Sequence, residues 1–451
     1  MERREFVQRG ATLAGGAALL GFTPTEAAAG PAPEKQQEIA PELAPLQSRL
    51  ADAPAPISES ERAQRRDKVQ RLMKELGYSA MLIEPGPNMM YFSGIDWGRS
   101  ERLFALILPR TGKGIVISPA FEKERAAVQV DGRFEIRAWQ EDESPEALVA
   151  GVLKDWGFGT GKLAIDGSAR TFVFNEMALA APALQMGTAE AITNACRGVK
   201  SAHEIEIMRF ANRITLDVYR AAFKTLRVGM TQAELAKNVL DGFSKLGFPG
   251  GFALVLFGES SAYPHGLPKP RSLRENEVVL VDGGTSVHGY QSDMTRTVVF
   301  GKPSAEAQKV FDIVQEAQRR ALAFAGPDKK CGEVDGVARK VIADAGYGPD
   351  YRTFTHRLGH GIGMEGHEWP YLVRGSQIVL QPGMTFSDEP GIYQYGKFGI
   401  RLEDIMAITE NGAEMLTPTQ TSLSPASDHR DKGTVEHVAG AGDGVGSEGD
   451  T

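Results

Sequence analysis

Short apolar runs alternate with helix-like patterns through residues 58–196. Four runs have the length and composition of buried strands: 80–83, 103–108, 114–118 and 162–166. A helix is predicted to begin at a capping box formed by Ser58 and Glu61 and to end at Gly77, and a second helix is predicted over 145–156. This alternation of strands and helices predicts an α/β domain over residues 58–196.

After residue 196 the pattern changes to pairs of helices followed by strands. Ser201 and Glu204 form a second possible capping box, and Thr231 with Glu234 forms a third, so two helices are predicted in succession before the next strands. A second pair of helices is predicted over 304–324 and 332–345, again followed by strands. The repeated order predicts an internally duplicated α+β domain with its site at the seam between the two units.

The segment from 277 to 300 sets two acids beside predicted strands. The aliphatic run 278–281 is typical of a strand buried on both faces, and it ends at Asp282. Gly283 and Gly284 predict a turn or bulge, and Asp293 then leads into a second strand-like run. If the two runs pair, both carboxylates enter one pocket, where they require a proton or a cation. The alternative is a surface turn with two ordinary acids.

Further histidines and acids lie in short glycine-containing segments. AYPHG contains one histidine, THRLGHGIGMEGHE contains three, and SDEPGIY and GIRLED each contain a central glutamate. A single histidine is more often structural, but four of the chain's eight histidines in two glycine-flanked segments indicate a functional site. The candidate residues in these segments are His265, His356, His360, His367, Glu389, Tyr393, Arg401 and Glu403.

Composition narrows the class of protein. The 451 residues, 42% of them hydrophobic, suffice for two domains with their own cores. The net charge of −8 argues against a nucleic-acid-binding surface, so no nucleic-acid partner is predicted. Two cysteines, Cys196 and Cys331, exclude a disulfide framework and a thiolate zinc site, and leave a single disulfide between them open.

The two ends of the chain are predicted to lie outside the domains. Residues 1–29 have paired arginines, a short apolar run and an A-x-A site, which together resemble a twin-arginine signal peptide and predict export to the periplasm or medium. The apolar run is too short to span a membrane. Residues 30–57 are rich in proline and alanine and predict an extended spacer, with folded structure beginning after it. The polar, glycine-rich residues 417–451 predict a disordered tail.

Residues 197–416 resemble the pita-bread metallopeptidases, the family of prolidase, aminopeptidase P and methionine aminopeptidase. The likeness is carried by five residues in order, Asp282, Asp293, His360, Glu389 and Glu403, with GHGIG and EPGIY around them, and it is greatest to the Xaa-Pro peptidases. The preceding domain resembles the creatinase-like N-terminal domain of prolidase and aminopeptidase P. The resemblance therefore implies an α+β pita-bread domain with pseudo-twofold duplication, preceded by a smaller creatinase-like α/β domain.

The same resemblance implies a dinuclear metal site. Its ligands would be Asp282, Asp293, His360, Glu389 and Glu403, with Asp293 and Glu403 bridging the two ions. Four carboxylates balance two divalent ions, which removes the repulsion between the clustered acids. A shell of oxygens with one imidazole and no sulfur favours manganese, with cobalt or zinc as alternatives. Two such ions lower the pKa of a bridging water and supply hydroxide near neutral pH.

Further roles are carried over by position. His367 would stabilise the tetrahedral oxyanion, His265 would contact the substrate near the leaving side, and Glu389 would shuttle a proton to the leaving nitrogen. Tyr393 and His356 would line the site. Two arginines complete the set: Arg401 would orient the carboxylate of Glu403, and Arg374 is a candidate for binding the free carboxylate of a dipeptide.

The resemblance implies hydrolysis of Xaa-Pro bonds at the N-terminus of short proline-containing peptides, by a prolidase-type dipeptidase or by an aminopeptidase, and a homo-oligomer such as a dimer. Four other interpretations stay open. The same scaffold supports lyase chemistry and phosphotriester hydrolysis, and it supports metal-free creatine hydrolysis, against which the intact ligand set weighs. A non-catalytic peptide-binding module is the remaining alternative, although such a chain is expected to lack a ligand or His367.

Overall fold

The computed structural model describes residues 39–269 and 271–425. The predicted signal peptide at 1–29 lies outside the described residues and stays a prediction, as does the part of the predicted tail beyond residue 425. Within the described part of the chain, no helix combines the length and the apolar character that crossing a bilayer requires.

A six-stranded mixed sheet forms the N-terminal domain, with the strand order β4-β3-β2-β1-β5-β6. Its strands are β1 Ala80–Ile83, β2 Ala105–Pro109, β3 Ile115–Pro119, β4 Glu135–Trp139, β5 Gly161–Ile165 and β6 Leu184–Thr188. Its helices are α1 Glu59–Leu76, α2 Pro87–Ser93, α3 Lys123–Val130, α4 Pro145–Asp155, α5 Thr171–Ala180 and α6 Glu190–Arg197.

Both faces of this sheet are covered, which explains the continuous apolar runs in its strands. In β1, Ala80 and Leu82 face the core shared with α4 and α5, whereas Met81 and Ile83 face the core that includes Val69 of α1. The second core continues without a break into the helices of the C-terminal domain. The predicted α/β domain is confirmed, and it shares one hydrophobic core with the domain that follows it.

The C-terminal domain contains two units of one design. The first consists of α7 Ala202–Ala222, α8 Gln232–Leu246, β7 Phe252–Phe257, β8 Glu277–Gly284, β9 Ser286–Val287, β10 Tyr290–Gln291 and β11 Met294–Phe300. The second consists of α9 Ala305–Phe324, α10 Cys331–Ile342, β12 Gly359–Gly361, β13 Glu368–Leu372, β14 Thr385–Asp388, β15 Gly391–Gln394, β16 Phe398–Arg401, β17 Asp404–Thr409 and β18 Gly412–Met415.

Each unit folds its strands into an antiparallel sheet beside its helix pair. The first sheet has the order β11-β8-β7 and the second has the order β13-β12-β14-β17-β18. A bridge between Thr295 of β11 and Glu403, which directly precedes β17, joins the two sheets. The predicted duplication is confirmed, and the seam between the units is where the acids of both units meet.

The predicted limits of folded structure are too narrow at both ends. Residues 39–57 contain two short helical turns, Pro41–Leu43 and Leu50–Asp52, and Leu43 is fully buried. At the other end, the backbone N–H of Val299 donates to the carbonyl of Leu423 at 2.8 Å, so residues 417–425 cover the outer edge of β11. Both stretches are polar or proline-rich in sequence. Only a few apolar side chains and backbone hydrogen bonds hold them against the folded domains.

The two cysteines are buried in different parts of the fold and are both free. Cys196 lies in the core that includes the N-terminal domain, and Cys331 lies in the core under α9 and α10. The disulfide left open by the sequence is therefore not formed.

An ion pair between α1 and α7 gives the fold a pH-dependent contact. The Nδ1 atom of His203 lies 2.7 Å from Oε1 of Glu61, and its Nε2 atom lies 2.9 Å from the carbonyl oxygen of Ala55. The bond to Glu61 raises the pKa of His203 against the opposing effect of burial. Burial would raise the pKa of Glu61, but bonds from Ser58 and His203 lower it to about 2.

These shifts predict that the pair stabilises the fold most strongly at about pH 4.5–6.5, between the unperturbed pKa values of the two groups. The contribution of His203 is complete below its unfolded pKa and is lost as the pH rises through its raised folded pKa. At pH 5.5, His203→Gln should lower the free energy of unfolding by about 0.5 kcal/mol and so lower the midpoint of thermal unfolding. At pH 9, the variant and the wild type should unfold at the same temperature. Equal differences at the two pH values would contradict this assignment.

Candidate metal centre

The strands β8 and β11 place the first two acids. They pair antiparallel, with Asp282 opposite Thr295. The predicted turn or bulge at Gly283 and Gly284 is wrong, because both glycines continue β8 to its end without a shift of register. A Cβ atom on Gly284 would lie 1.9 Å from the carbonyl oxygen of Ser292, so the glycine allows the chain to cross itself closely rather than to turn.

A second close approach places the histidine of GHG. His360 lies in the short strand β12 between two glycines, and a Cβ atom on Gly359 would lie 1.9 Å from the carbonyl oxygen of Ser387 in β14. The Ser387 hydroxyl accepts a hydrogen bond from the backbone N–H of His360 at 3.0 Å and donates to Oε1 of Glu389 at 3.1 Å. The glycine therefore lets the strands carrying His360 and Glu389 lie against each other.

All five predicted metal ligands converge at the seam. Their donor atoms form overlapping groups in which every pair of atoms lies within 4.8 Å. One group contains Asp282, Asp293 and Glu403, and another contains His360, Glu389 and Glu403. Glu403 thus belongs to both groups, which is the arrangement expected of a ligand shared by two ions.

Burial and mutual repulsion dominate the electrostatics of the acids. Burial, followed by the charges of Asp282 and Glu389, raises the pKa of Asp293 well above its usual value. Burial and the charges of Asp293 and Glu389 do the same to Glu403. Burial and the charge of Asp282 raise the pKa of Glu389 to about 7. The cluster therefore requires bound protons or bound cations at neutral pH.

The ring of His360 is held in the tautomer that a metal ligand requires. Its Nδ1 atom lies 3.1 Å from the carbonyl oxygen of Gly361, which can only accept, so Nδ1 carries the proton. Burial and then the neighbouring His367 lower the pKa of His360 to about 3, so the ring is neutral. Nε2 therefore has a free lone pair that can coordinate a metal ion. It lies 3.3 Å from Oε1 of Glu389 and 3.8 Å from Oδ2 of Asp293.

Arg401 holds the opposite side of the cluster. Its Nη2 atom donates to Oδ2 of Asp282 at 2.7 Å, and its Nε atom donates to the hydroxyl of Thr295 at 2.9 Å. That hydroxyl in turn donates to Oε2 of Glu403 at 2.6 Å. The sequence predicted that Arg401 orients Glu403, and its Nε atom does lie 3.9 Å from Oε2 of Glu403, with the Thr295 hydroxyl bonded to both groups. The structure adds a shorter partner, Asp282, that the sequence did not predict.

His356 and Tyr393 form a hydrogen-bonded pair beside Glu389. The Nδ1 atom of His356 donates to the carbonyl oxygen of Arg357 at 2.8 Å, so its Nε2 atom, 2.7 Å from the Tyr393 hydroxyl, is an acceptor. Burial and then Arg401 lower the pKa of His356 to about 3, so this ring is also neutral. The Tyr393 hydroxyl donates to His356 and accepts from Arg401 at 3.1 Å. Both side chains are therefore occupied in supporting Arg401.

The other two predicted histidines are more exposed. The ring of His367 lies with its centroid 3.8 Å from that of His360, and its nitrogen is within the same 4.8 Å limit of the Asp293 and His360 donors. Burial and then the charge of Arg357 lower the pKa of His367. His265 is exposed, and its charge acts on both His356 and His367. Both rings thus stand where a substrate can reach them.

Arg374 does not join this group. Its guanidinium pairs with Asp350 at 2.8 Å, with about half of the side chain exposed, and lies over the ring of Tyr351. Among residues 39–269 and 271–425, its guanidinium forms no ion pair with a member of the metal-ligand set. Local sequence does not distinguish an arginine at the site from one on the nearby surface.

Thr295 and Ser387 are functional residues that the sequence reading missed. Thr295 lies in β11 two positions after Asp293 and donates to Glu403, and Ser387 lies in β14 two positions before Glu389 and donates to it. A hydroxyl residue two positions from a predicted ligand was therefore the usable signal.

A buried ion cluster next to His367 was also missed. Lys200 donates to Oε1 of Glu368 at 2.7 Å, and Arg197 contacts the other carboxylate oxygen of Glu368. Arg197 also donates to Asn88 of the N-terminal domain at 2.9 Å and pairs with Glu365 at 2.7 Å. The cluster ties the strand that follows His367 to both domains. No local sequence signal connects groups so far apart.

The residues present fit divalent metal ions. Oδ1 of Asp282 is buried and has no hydrogen-bond partner among the described residues, which is costly unless a cation is bound. The donor set is four carboxylates and one imidazole nitrogen, which suits hard or borderline divalent ions. The structure thus provides a buried site whose donors suit divalent metal ions.

Comparisons with known proteins agree with the two-domain fold. Residues 206–410 match metallopeptidase family M24, and residues 65–199 match the creatinase/prolidase N-terminal domain. The chain is 36% identical over 345 residues to a probable dipeptidase PepE of Mycobacterium tuberculosis, covering 75% of this chain and 90% of that protein.

Solved structures show the same likeness. The dipeptidase PepE of Mycobacterium ulcerans superposes with a TM-score of 0.76 at 32% identity, covering 82% of this chain and 99% of that one. A prolidase of Thermococcus sibiricus superposes with a TM-score of 0.75 at 32% identity, covering 80% and 98%. An X-Pro aminopeptidase of Thermotoga maritima superposes with a TM-score of 0.68 at 29% identity, covering 79% and 99%.

The fold and the site define a two-domain metal-dependent hydrolase. The chain belongs to metallopeptidase family M24, in its pita-bread Xaa-Pro peptidase branch, with the creatinase/prolidase type of N-terminal domain.

Proposed function

We propose that this protein is an Xaa-Pro dipeptidase that uses two divalent ions, manganese foremost, held by Asp282, Asp293, His360, Glu389 and Glu403. The observation that carries the proposal is the convergence of these five donors in groups that share Glu403. When bound, the ions lower the pKa of a coordinated water to near neutrality and polarise the scissile carbonyl.

The chain's own residues supply the remaining chemistry. His367 stands beside His360 and is partly exposed, so it can donate to the oxyanion that develops on the scissile carbonyl oxygen. Glu389 has a pKa of about 7 when no ion is bound, and its carboxylate is positioned by Ser387, so it is suited to carry a proton to the leaving nitrogen. His265 is exposed, and we expect it to contact the substrate near the leaving side.

Proline specificity is supported by the relatives rather than by a visible pocket. The relatives with similar two-domain architecture include prolidases, dipeptidases and an X-Pro aminopeptidase. An imide nitrogen carries no hydrogen and its ring restricts the neighbouring backbone, so a dedicated site is required for such bonds. The second candidate function is therefore Xaa-Pro aminopeptidase activity on longer peptides.

Hydrolysis of Ala-Pro and Ala-Pro-Ala, measured after chelation and after addition of manganese, tests the proposal. Chelation should abolish cleavage of Ala-Pro, and manganese should restore it and raise the midpoint of thermal unfolding, because the ions bind the folded state and neutralise the buried acids. The stabilisation should weaken below about pH 7, since protons compete for Glu389.

The substrate pair separates the alternatives. Cleavage of Ala-Pro-Ala with Ala-Pro untouched would establish the aminopeptidase instead of the dipeptidase. If the manganese-loaded protein hydrolyses neither peptide, both assignments are contradicted. Lyase activity and phosphotriester hydrolysis then become the leading alternatives. Failure of manganese to alter thermal unfolding would contradict the metal centre itself.

A further inference from the structure

His367 lies in the loop that joins β12 to β13, residues 362–367. A residue in such a loop is not fixed by strand pairing, so its position depends on the contacts that its neighbours make. Glu365 and Glu368 flank His367, and both carboxylates pair with the same nitrogen atom, Nη2 of Arg197. One guanidinium therefore holds both sides of the histidine.

Glu368 is also held from its other side. Lys200 donates to Oε1 of Glu368 at 2.7 Å, and a Cβ atom on Gly363 would lie 2.6 Å from the same oxygen. Glu368, Lys200 and Arg197 are all buried. Because the loop packs directly against this ion cluster, a displacement of Arg197 would also displace the residues around His367.

The N-terminal domain fixes the position of Arg197. Oδ1 of Asn88, in α2, accepts a hydrogen bond from Nη1 of Arg197 at 2.9 Å. The amide nitrogen of Asn88 donates to Oδ1 of Asp166, the residue directly after β5, at 3.0 Å. Asn88 and Asp166 are both buried, so water cannot readily replace either bond. A continuous path of hydrogen bonds thus runs from the end of β5 to both sides of His367.

We propose that Arg197 and Asn88 are positioning residues for His367, and that the N-terminal domain contributes to catalysis through them. The inference rests on the proposed function, in which His367 donates to the oxyanion that develops on the scissile carbonyl. Such a donor stabilises the transition state only when it lies within hydrogen-bond distance of the oxyanion, so a shift of about 1 Å removes much of its effect.

Two substitutions disturb Arg197 from opposite sides in the full-length, manganese-loaded protein. Asn88→Ala removes its anchor in the N-terminal domain and should lower kcat by about 10-fold. Glu365→Gln removes one of its two carboxylates and should lower kcat by about 3-fold. KM should change by less than about 2-fold in both, because the weakened interaction forms only in the transition state. The substrate is Ala-Pro, or Ala-Pro-Ala if that is the peptide that the wild type cleaves.

Glu365→Gln keeps the test independent of folding. Glu365 is 44% exposed, so its substitution leaves no buried position empty, whereas Asn88→Ala does. Thermal unfolding and manganese content of each variant, measured beside the wild type, report that the protein compared is folded and loaded.

A double-mutant cycle with His367→Ala shows whether the two variants act through the histidine. His367→Ala should itself lower kcat by about 100-fold. In that background, Asn88→Ala and Glu365→Gln should each cost less than about 1.5-fold, because no donor is left to be misplaced. A loss that arises from general loosening of the fold would instead multiply with the loss from His367→Ala.

Tyr91→Phe is the matched control. Tyr91 is buried in the same helix as Asn88, and its hydroxyl donates to the carbonyl oxygen of Cys196 at 2.9 Å. The substitution removes a neighbouring buried hydrogen bond and leaves Arg197 with its partners, so kcat should stay within about 1.5-fold of the wild type.

Three results would overturn the inference and leave the peptidase function intact. They are an unchanged kcat in both Asn88→Ala and Glu365→Gln, losses that multiply with that of His367→Ala or lie in KM, and an equal loss of kcat in Tyr91→Phe. A manganese-loaded wild type that cleaves neither Ala-Pro nor Ala-Pro-Ala would overturn the proposed function, and this inference with it.

Discussion

Asp293→Asn and Glu403→Gln are each expected to lower kcat/KM for Ala-Pro by about 1,000-fold or more, because either change removes a carboxylate from the centre of the ligand cluster. Glu403 belongs to two of the three groups of donors, and so does Asp293, which lies in one group with Asp282 and in another with His360. The substitutions preserve side-chain shape, so the loss should come from metal binding. Metal content per chain should fall below two in both variants, measured by atomic emission after equilibration with manganese.

Thermal unfolding in the presence of a chelator distinguishes this loss from misfolding. Without ions, Asp293 and Glu403 are buried among other acids, and burial with mutual repulsion raises both pKa values well above their usual range. Removing one of these charges should therefore leave the metal-free protein as stable as the wild type or more stable at pH 8. Near-normal turnover in either variant, or two ions still bound, would contradict the dinuclear assignment.

Glu368→Gln is expected to destabilise the fold by about 3–5 kcal/mol, the usual cost of breaking a buried ion pair by removing one partner. Arg197 and Lys200 are both buried, and Glu368 is the carboxylate that they share. Burial would raise the pKa of Glu368, but the two cations lower it, so the carboxylate is charged in the folded protein. Denaturant unfolding of the two proteins, under the same metal conditions, measures the difference.

Glu365→Gln is the matched control. It also removes a carboxylate that pairs with Arg197, but Glu365 is 44% exposed, so water can take the place of that carboxylate. The loss in the free energy of unfolding should therefore stay below about 1 kcal/mol. Since Glu368 directly follows His367 and is opposite Gly361 in the sheet, Glu368→Gln should also reduce turnover. Similar stability losses in the two variants would show that the buried cluster does not hold this strand.

Much of the fold could be predicted because its signals are local. The capping boxes at Ser58, Ser201 and Thr231 begin helices as predicted, with each hydroxyl accepting a hydrogen bond from the backbone N–H three residues later. The strand at Ala80–Ile83 has the predicted bounds and is buried on both faces. Such signals depend on neighbours within a few residues, so the sequence displays them directly.

The predictions were wrong at residues whose structure is set by contacts with distant parts of the chain. Gly283 and Gly284 predicted a turn, yet they continue a strand, because the space for their missing Cβ atoms is taken by Phe252 and Ser292. Likewise, composition alone assigned Leu43 to a spacer and Leu423 to a tail, but both are buried against the folded domains. Burial depends on what lies opposite a residue in space, which the composition of its own segment does not show.

By itself, the sequence determined the element order, the duplicated helix-and-strand units, and a donor set of four carboxylates and one imidazole that resembles the M24 peptidases. Only the tertiary structure decided which groups meet: that Arg401 pairs with Asp282, and that Glu368 joins Arg197 to Lys200. The physical reason is range. Caps and periodicities are set by neighbours along one segment, whereas these contacts join groups up to 171 residues apart and exist only once the strands have paired.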